Sequence, residues 1–203
     1  MRVGIAGAHR VGKTTLAKLV AEKTGHPFVP NSATPSFETF GIKPNANLQM
    51  NLRLSVQTHI YQRFLEATNG MSDYIVDRTP LDYIAYTISE LNTVEFNKLG
   101  SVGRSMVDGY IKSCLRSVLD KFDVLFIVPP GIEIEQDESK GVCDSVVIEH
   151  IHALIASYAD ISGHQCVFFL DRSMTNLDDR AQLVADVLTN IKQHGIGFYS
   201  DAA

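Results

Sequence analysis

The chain has 203 residues, and its 45% hydrophobic content is enough to bury one substantial core in a single domain. Its 18 basic residues are outnumbered by 23 acidic ones, and the formal net charge of -5 argues against a basic surface that coats nucleic acid. The three cysteines lie far apart without C-x-x-C or zinc-finger spacing, which excludes these common metal and redox motifs and predicts reduced thiols in a cytoplasmic protein.

Short apolar runs of strand type alternate along the chain with longer segments of helical periodicity. This alternation predicts an α/β domain with a largely parallel sheet. The expected strands cover residues 2–7, 27–30, 74–78, 124–129 and 166–170. The expected helices cover residues 13–23, 48–64, 80–91, 101–121, 144–158 and 176–192. With no linker and no export signal, we expect residues 1–203 to form one cytoplasmic domain that does not enter a membrane.

The helix expected over residues 48–64 has a repeating apolar pattern. The members of its predicted buried stripe recur every fourth residue and are Leu48, Leu52, Val56, Ile60 and Phe64. The opposite face is predicted to be polar and includes Gln49, Arg53 and Gln57.

A complete Walker A pattern lies between the first expected strand and the first expected helix, as Gly7-x-x-x-x-Gly12-Lys13-Thr14. Glycines allow backbone N–H groups to surround phosphate oxygens, and the start of the helix adds its positive dipole end. We therefore predict that ATP binds here with Mg²⁺, with Lys13 on the β- and γ-phosphates and the Thr14 hydroxyl as a metal ligand. The predicted ATP-binding residues of this loop, called the phosphate loop below, are Gly7, Ala8, His9, Arg10, Val11, Gly12, Lys13, Thr14 and Thr15.

A second candidate element is the apolar strand that ends in Asp77 and Arg78. An acid at the carboxyl end of a strand beside the phosphate loop can hold Mg²⁺, and the neighbouring arginine can bind an anionic group. We predict that Asp77 and Arg78 are catalytic together with Lys13, and that Asp77 shares the metal with Thr14. A surface ion pair at the end of a strand is the alternative.

The phosphate loop followed by the sequence Asp77-Arg78-Thr79-Pro80-Leu81-Asp82-Tyr83-Ile84-Ala85-Tyr86 resembles a family of P-loop kinases. This family includes the nicotinamide-riboside kinase domain of bifunctional NAD-biosynthesis proteins, within the AAA-type ATPase and kinase group, and is related to deoxynucleoside and thymidylate kinases. The resemblance implies a three-layer P-loop kinase fold, with a parallel five-stranded sheet and helices on both faces. It also implies γ-phosphate transfer from ATP to a nucleoside- or nucleotide-like acceptor, with Asp77 as a Mg²⁺-linked or general-base carboxylate, Arg78 as an anion clamp and Asp82 in support.

The chain departs from that family at the end of the second strand. Such kinases often carry a glutamate there as the base of the acceptor site, whereas this chain has Asn31, which cannot take a proton. Either Asp77 or Glu38 would then act on the acceptor hydroxyl.

The segment that corresponds to the lid of these kinases, at about residues 130–142, is acidic. It contains Glu133, Glu135, Asp137 and Glu138 with one cation, Lys140. Lys140 is a candidate for the arginine that family members use to bind phosphates. Arg104 and Arg116 precede the fourth strand and are a second candidate source of this positive charge, although we expect them to lie on the surface.

The loop after the last strand contains Arg172, at the position where related P-loop kinases stack the adenine. We predict by this resemblance that Arg172 lies on the purine.

Two other functions stay open. One is a kinase that acts on a hydroxyl of a modified base in DNA. The other is a switch NTPase, which has less support because the guanine-reading Asn-Lys-x-Asp pattern is absent from the sequence. The sequence leaves homodimer formation open.

Overall fold

The computed structural model describes residues 1–43, 46, 48–91, 93–132 and 144–196. The strands are β1 (Arg2–Gly7), β2 (Phe28–Val29), β3 (Tyr74–Val76), β4 (Val124–Val128) and β5 (Val167–Phe169). The helices are α1 (Lys13–Thr24), α2 (Thr34–Thr39), α3 (Met50–Ala67), α4 (Pro80–Ser89), α5 (Thr93–Lys98), α6 (Gly100–Lys121), α7 (Ser145–Ser162) and α8 (Leu177–His194).

The five strands form one parallel sheet in the order β2-β3-β1-β4-β5, which confirms the predicted α/β fold class. On the central strand β1, Gly4 pairs with Val76 of β3 and Ala6 pairs with Ile127 of β4. The residues of β3 and β4 are all buried, as expected for parallel strands that are covered on both faces. Helix α1 packs against α8, while α4 packs against α3, α6 and α7.

The connection order places the functional loops at one edge of the sheet. Because all five strands are parallel, the segments that follow β1, β2, β3 and β5 leave from the same edge. Ligands of open α/β sheets bind in the crevice outside the carboxyl ends of the strands. The phosphate loop after β1, Asn31 after β2 and Asp77 after β3 therefore meet at this edge.

The predicted strands and the six predicted helices are confirmed, and two short helices were not predicted. Helices α2 and α5 have six residues each, too few for a hydrophobic period to be recognised. None of the described helices is both long and apolar enough to cross a membrane.

The prediction for the faces of α3 was wrong in part. Leu52 is 37% exposed, whereas Arg53 and Gln57, expected on the polar face, are buried with exposures of 8% and 5%. A spacing of four residues drifts by about 40° per step on a helix of 3.6 residues per turn. The stripe from Leu48 to Phe64 therefore cannot lie on one face along its whole length.

Candidate functional site

The phosphate loop is shaped by two glycines. Gly12, the residue before α1, has φ +84°, a left-handed conformation that a residue with a side chain adopts only with strain. A Cβ atom on Gly7 would lie 2.6 Å from the carbonyl oxygen of Val128 on the neighbouring strand. The Walker A glycines are therefore required by the backbone of this loop and by the packing of β1 against β4.

Lys13 is a buried cation at the first position of α1, with 7% exposure. Its Nζ donates to the carbonyl oxygens of Gly7 and Ala8, both at 2.5 Å, and lies 3.7 Å from Oδ1 of Asp82. Burial lowers the pKa of Lys13 to about 8, although the nearby Asp82 carboxylate opposes this shift. The ammonium group of Lys13 is thus held inside the loop by two main-chain carbonyl groups and one carboxylate.

Asp82 is fully buried beneath the phosphate loop. Its Oδ1 accepts a hydrogen bond from the Gly7 N–H at 3.3 Å, and its Oδ2 accepts from the backbone N–H and the hydroxyl of Thr79 at 2.8 and 3.0 Å. Thr79 and Asp82 form a capping box at the start of α4. Burial raises the pKa of Asp82, although Lys13 and the Thr79 N–H oppose the shift. Asp82 thus connects α4 directly to the phosphate loop.

Thr14 and Asp77 meet across the loops that follow β1 and β3. The Thr14 hydroxyl donates to Oδ2 of Asp77 at 2.5 Å, and the backbone N–H of Asn31 donates to Oδ1 of Asp77 at 3.3 Å. A hydroxyl and a carboxylate fit Mg²⁺, which takes oxygen ligands and is commonly held by one or two protein groups together with water and substrate phosphates. No group of three His, Cys, Asp or Glu side chains within the described ranges forms a separate metal site.

Asn31 is a buried part of the site, with 8% exposure. Its Nδ2 donates to the carbonyl oxygen of Arg78 at 2.9 Å and to the hydroxyl of Tyr83. Its side chain therefore fixes the turn that carries Asp77 and Arg78 to helix α4. Glu38, the other candidate base, is exposed on α2.

Tyr86 connects Arg78 with the phosphate loop. The Arg78 guanidinium carbon lies 5.7 Å from the centre of the Tyr86 ring, within the range of a cation–π contact. The Tyr86 hydroxyl accepts a hydrogen bond from the His9 N–H at 2.8 Å and lies 2.9 Å from Nδ1 of His9. Burial raises the pKa of Tyr86 to about 12, so its hydroxyl is protonated near neutral pH. Sequence reasoning assigned no role to Tyr86, although its spacing of four residues from Asp82 places both on one side of α4.

The remaining candidates lie at the edges of the site. Thr15 is exposed on the first turn of α1. Arg10 is the one non-glycine among the described residues with positive φ, at 64°. Arg172 forms a two-pronged ion pair with Glu149, in which Nη2 lies 2.9 Å from Oε2, so stacking of Arg172 on adenine stays a prediction.

Of the cations considered for the lid, the structure describes the two arginines and not the lysine. Lys140 and the acidic residues 133–138 lie outside the described residues. Arg104 and Arg116 are exposed on α6, as expected, and the Arg104 guanidinium lies 4.5 Å from the centre of the Phe96 ring.

A family model described as AAA domain matches residues 2–176 of the chain. Among solved structures, deoxyadenosine kinase from M. mycoides with bound dCTP superposes with a TM-score of 0.63 at 15% identity, covering 94% of this chain and 100% of that one. NadR protein in complex with NAD and AMP-PNP gives a TM-score of 0.63 at 19% identity over 93% of this chain, and the match spans 48% of the NadR chain. Thymidylate kinase from Candida albicans gives 0.60 at 14% identity, over 95% of this chain and 92% of that one. No curated protein sequence matches significantly. At these identities the superpositions show a shared fold.

Proposed function

The chain belongs to the AAA domain family, and we propose that it is an ATP- and Mg²⁺-dependent kinase that transfers the γ-phosphate to a hydroxyl or phosphate of a nucleoside or nucleotide. The observation that carries this proposal is the 2.5 Å contact between the Thr14 hydroxyl and the Asp77 carboxylate. It brings the two expected metal ligands together beside Lys13. The fold shared with deoxyadenosine kinase and thymidylate kinase supports the same reaction class.

The residues of the phosphate loop would act mainly by positioning and charge neutralisation. Lys13 would exchange the carbonyl oxygens of Gly7 and Ala8 for β- and γ-phosphate oxygens. Thr14 and Asp77 would hold Mg²⁺, which neutralises phosphate charge. Arg78, held next to Tyr86, would bind an anionic oxygen of the acceptor or of the transferred group.

We place the acceptor on the side of β3 and β2, where Asp77, Asn31 and Arg78 lie. Of the two candidate bases, Asp77 is favoured because it is held at the site by Thr14 and by the Asn31 N–H, whereas Glu38 is exposed on α2. Asp77 would orient the acceptor hydroxyl and take its proton as the phosphoryl group is transferred.

The test is incubation with γ-labelled ATP and a panel of nucleosides, nucleoside monophosphates, nicotinamide riboside and DNA with hydroxylated bases. We expect label to move to a small acceptor, and we expect Lys13→Ala and Asp77→Asn to abolish the transfer with folding intact. Lys18→Ala on the exposed face of α1 and Asp108→Asn on α6 are matched controls that should keep activity.

The same panel separates the alternatives. Transfer to DNA, with free nucleosides unused, would assign the modified-base kinase. Release of labelled phosphate without transfer to any acceptor would assign an NTPase switch. We propose a cytoplasmic location on the basis of Cys114 and Cys166, which are free thiols in the described part of the chain.

A further inference from the structure

Arg180 on α8 is a buried cation that the proposed mechanism does not use. Its residue exposure is 3%, and burial lowers the pKa of its guanidinium, which nevertheless stays charged at physiological pH. It forms an ion pair with none of the acids among the residues that the structure describes. A buried charge without a counter-ion is unfavourable unless polar groups compensate for it, so the guanidinium depends on the hydrogen bonds that it makes.

The hydrogen bonds of Arg180 join two loops at the functional edge of the sheet. Its Nε donates to the carbonyl oxygen of Met174, in the β5–α8 loop formed by residues 171–176. Its Nη1 donates to the carbonyl oxygen of Val11 in the phosphate loop at 3.4 Å. Nη2 is buried and has no hydrogen-bond partner within the described ranges. One planar guanidinium thus spans from the phosphate loop to the β5–α8 loop.

The order of the strands indicates which part of a nucleotide would lie between these loops. Asp77 and Asn31 follow β3 and β2 on one side of β1, and β4 and β5 lie on the other side. With the triphosphate on the phosphate loop and the acceptor beside Asp77, the nucleoside end of the donor is left to the side of β5. Hydrogen bonds within the β5–α8 loop fix its turn, since Asp171 Oδ1 accepts from both the N–H and the hydroxyl of Ser173 at 2.7 Å.

We propose that Arg180 is a positioning residue for the nucleoside end of ATP, because it holds the phosphate loop and the β5–α8 loop at the separation that seats the base. This inference rests on the proposed function, since it requires that the phosphate loop binds MgATP. It differs from the prediction for Arg172, whose exposed side chain is paired with Glu149. Arg180 is buried and acts through the main-chain carbonyl groups of Met174 and Val11.

The test compares MgATP with magnesium tripolyphosphate, which has the phosphates of ATP but no nucleoside. Dissociation constants are measured calorimetrically for the wild type, Arg180→Gln and Arg180→Lys, with Arg116→Lys on the exposed face of α6 as the control. We expect both Arg180 variants to bind MgATP about tenfold more weakly, the effect of losing two hydrogen bonds, and to bind tripolyphosphate within about twofold of the wild type. Lysine keeps the charge but cannot reproduce the planar two-carbonyl bridge.

Three results would overturn the inference about Arg180. Unchanged affinity for MgATP in both variants, an equal loss for MgATP and tripolyphosphate, or full rescue by lysine would each show that the bridge does not position the nucleoside. A wild type that binds neither ligand would instead refute the proposed function, and the inference with it.

If the Arg180 variants do not fold, hydrogen exchange on the wild type decides. MgATP should slow amide exchange in residues 171–176, and tripolyphosphate should not. Equal protection by the two ligands, or protection by neither, would contradict the proposal.

Discussion

Lys13 and Asp82 form an ion pair in the interior, with Nζ of Lys13 3.7 Å from Oδ1 of Asp82. The same carboxylate oxygen accepts a hydrogen bond from the Gly7 N–H, and the other oxygen receives both Thr79 donors. The first glycine of the phosphate loop, its lysine and the start of α4 are therefore linked through one side chain. This link explains why an acid on α4 is fully buried.

Replacement of Asp82 by asparagine should destabilise the protein. In Asp82→Asn an amide nitrogen replaces one carboxylate oxygen, and this nitrogen cannot accept a hydrogen bond in place of the oxygen that receives both Thr79 donors. The neutral amide also leaves Lys13 buried without a counter-charge. Removing one partner of a buried ion pair should reduce the free energy of unfolding by about 2 to 4 kcal/mol, measured by urea denaturation. The control Asp108→Asn breaks the exposed pair with Lys112 and should change stability by less than about 0.5 kcal/mol. Equal stabilities for the two variants would contradict a structural role for the buried carboxylate.

The lowered pKa of Lys13 predicts a pH dependence of stability. Its pKa is about 8 in the folded protein against 10.5 ordinarily, so the unfolded chain binds the proton more tightly between these values. The difference in the free energy of unfolding between the wild type and Lys13→Met should therefore change in favour of the wild type as the pH rises from about 8 to about 10.5. The expected change is on the order of 2 to 3 kcal/mol. Tyrosine ionisation is common to both proteins and cancels in the difference. Parallel stability curves for the two proteins would show that Lys13 titrates normally.

The Thr14 hydroxyl should be needed for Mg²⁺-dependent nucleotide binding. Thr14→Val removes the oxygen that contacts Asp77 at 2.5 Å and keeps the shape of the side chain, whereas Thr14→Ser keeps the oxygen. We expect kcat/KM for ATP to fall about a hundredfold or more in the valine variant, with a higher Mg²⁺ requirement, and to stay within about tenfold in the serine variant. Titration of Mg²⁺ at fixed ATP measures both effects. Similar kinetics for valine and wild type would exclude Thr14 as a metal ligand.

The central elements could be predicted because their signals are local. A strand, a glycine-rich loop and a helix in sequence specify the phosphate loop, and the acid at the end of β3 specified the partner of Thr14. The faces of α3 were predicted in part wrongly, since Arg53 and Gln57 are polar and are nevertheless buried by the packing of this helix. Tertiary contacts decide such positions, and no periodic pattern contains them.

The contacts of Asp82, Tyr86 and Arg180 could not be predicted for a related reason. Each side chain reaches a main-chain group of the phosphate loop that is distant in sequence, by 75 residues for Asp82 and Gly7 and by 169 for Arg180 and Val11. A main-chain acceptor or donor is present at every residue, so it leaves no signature in the sequence. Asn31 was identified as a departure from the family pattern, but its bonds to Arg78 and Tyr83 required the structure.

Tyr86 combines two functions that a pair of substitutions should separate. Tyr86→Phe removes the hydroxyl that accepts from the His9 N–H and keeps the ring beside Arg78, so we expect KM for ATP to rise by about three- to tenfold with little change in kcat.

Tyr86→Leu also removes the ring, which frees the Arg78 guanidinium, and we expect kcat to fall by a further factor of about ten. Tyr158→Phe is the control, since Tyr158 is a half-buried residue of α7 and does not belong to the loops that form the site, and its steady-state kinetics should match the wild type. If phenylalanine and leucine at position 86 gave the same kcat, the ring would not position the Arg78 guanidinium.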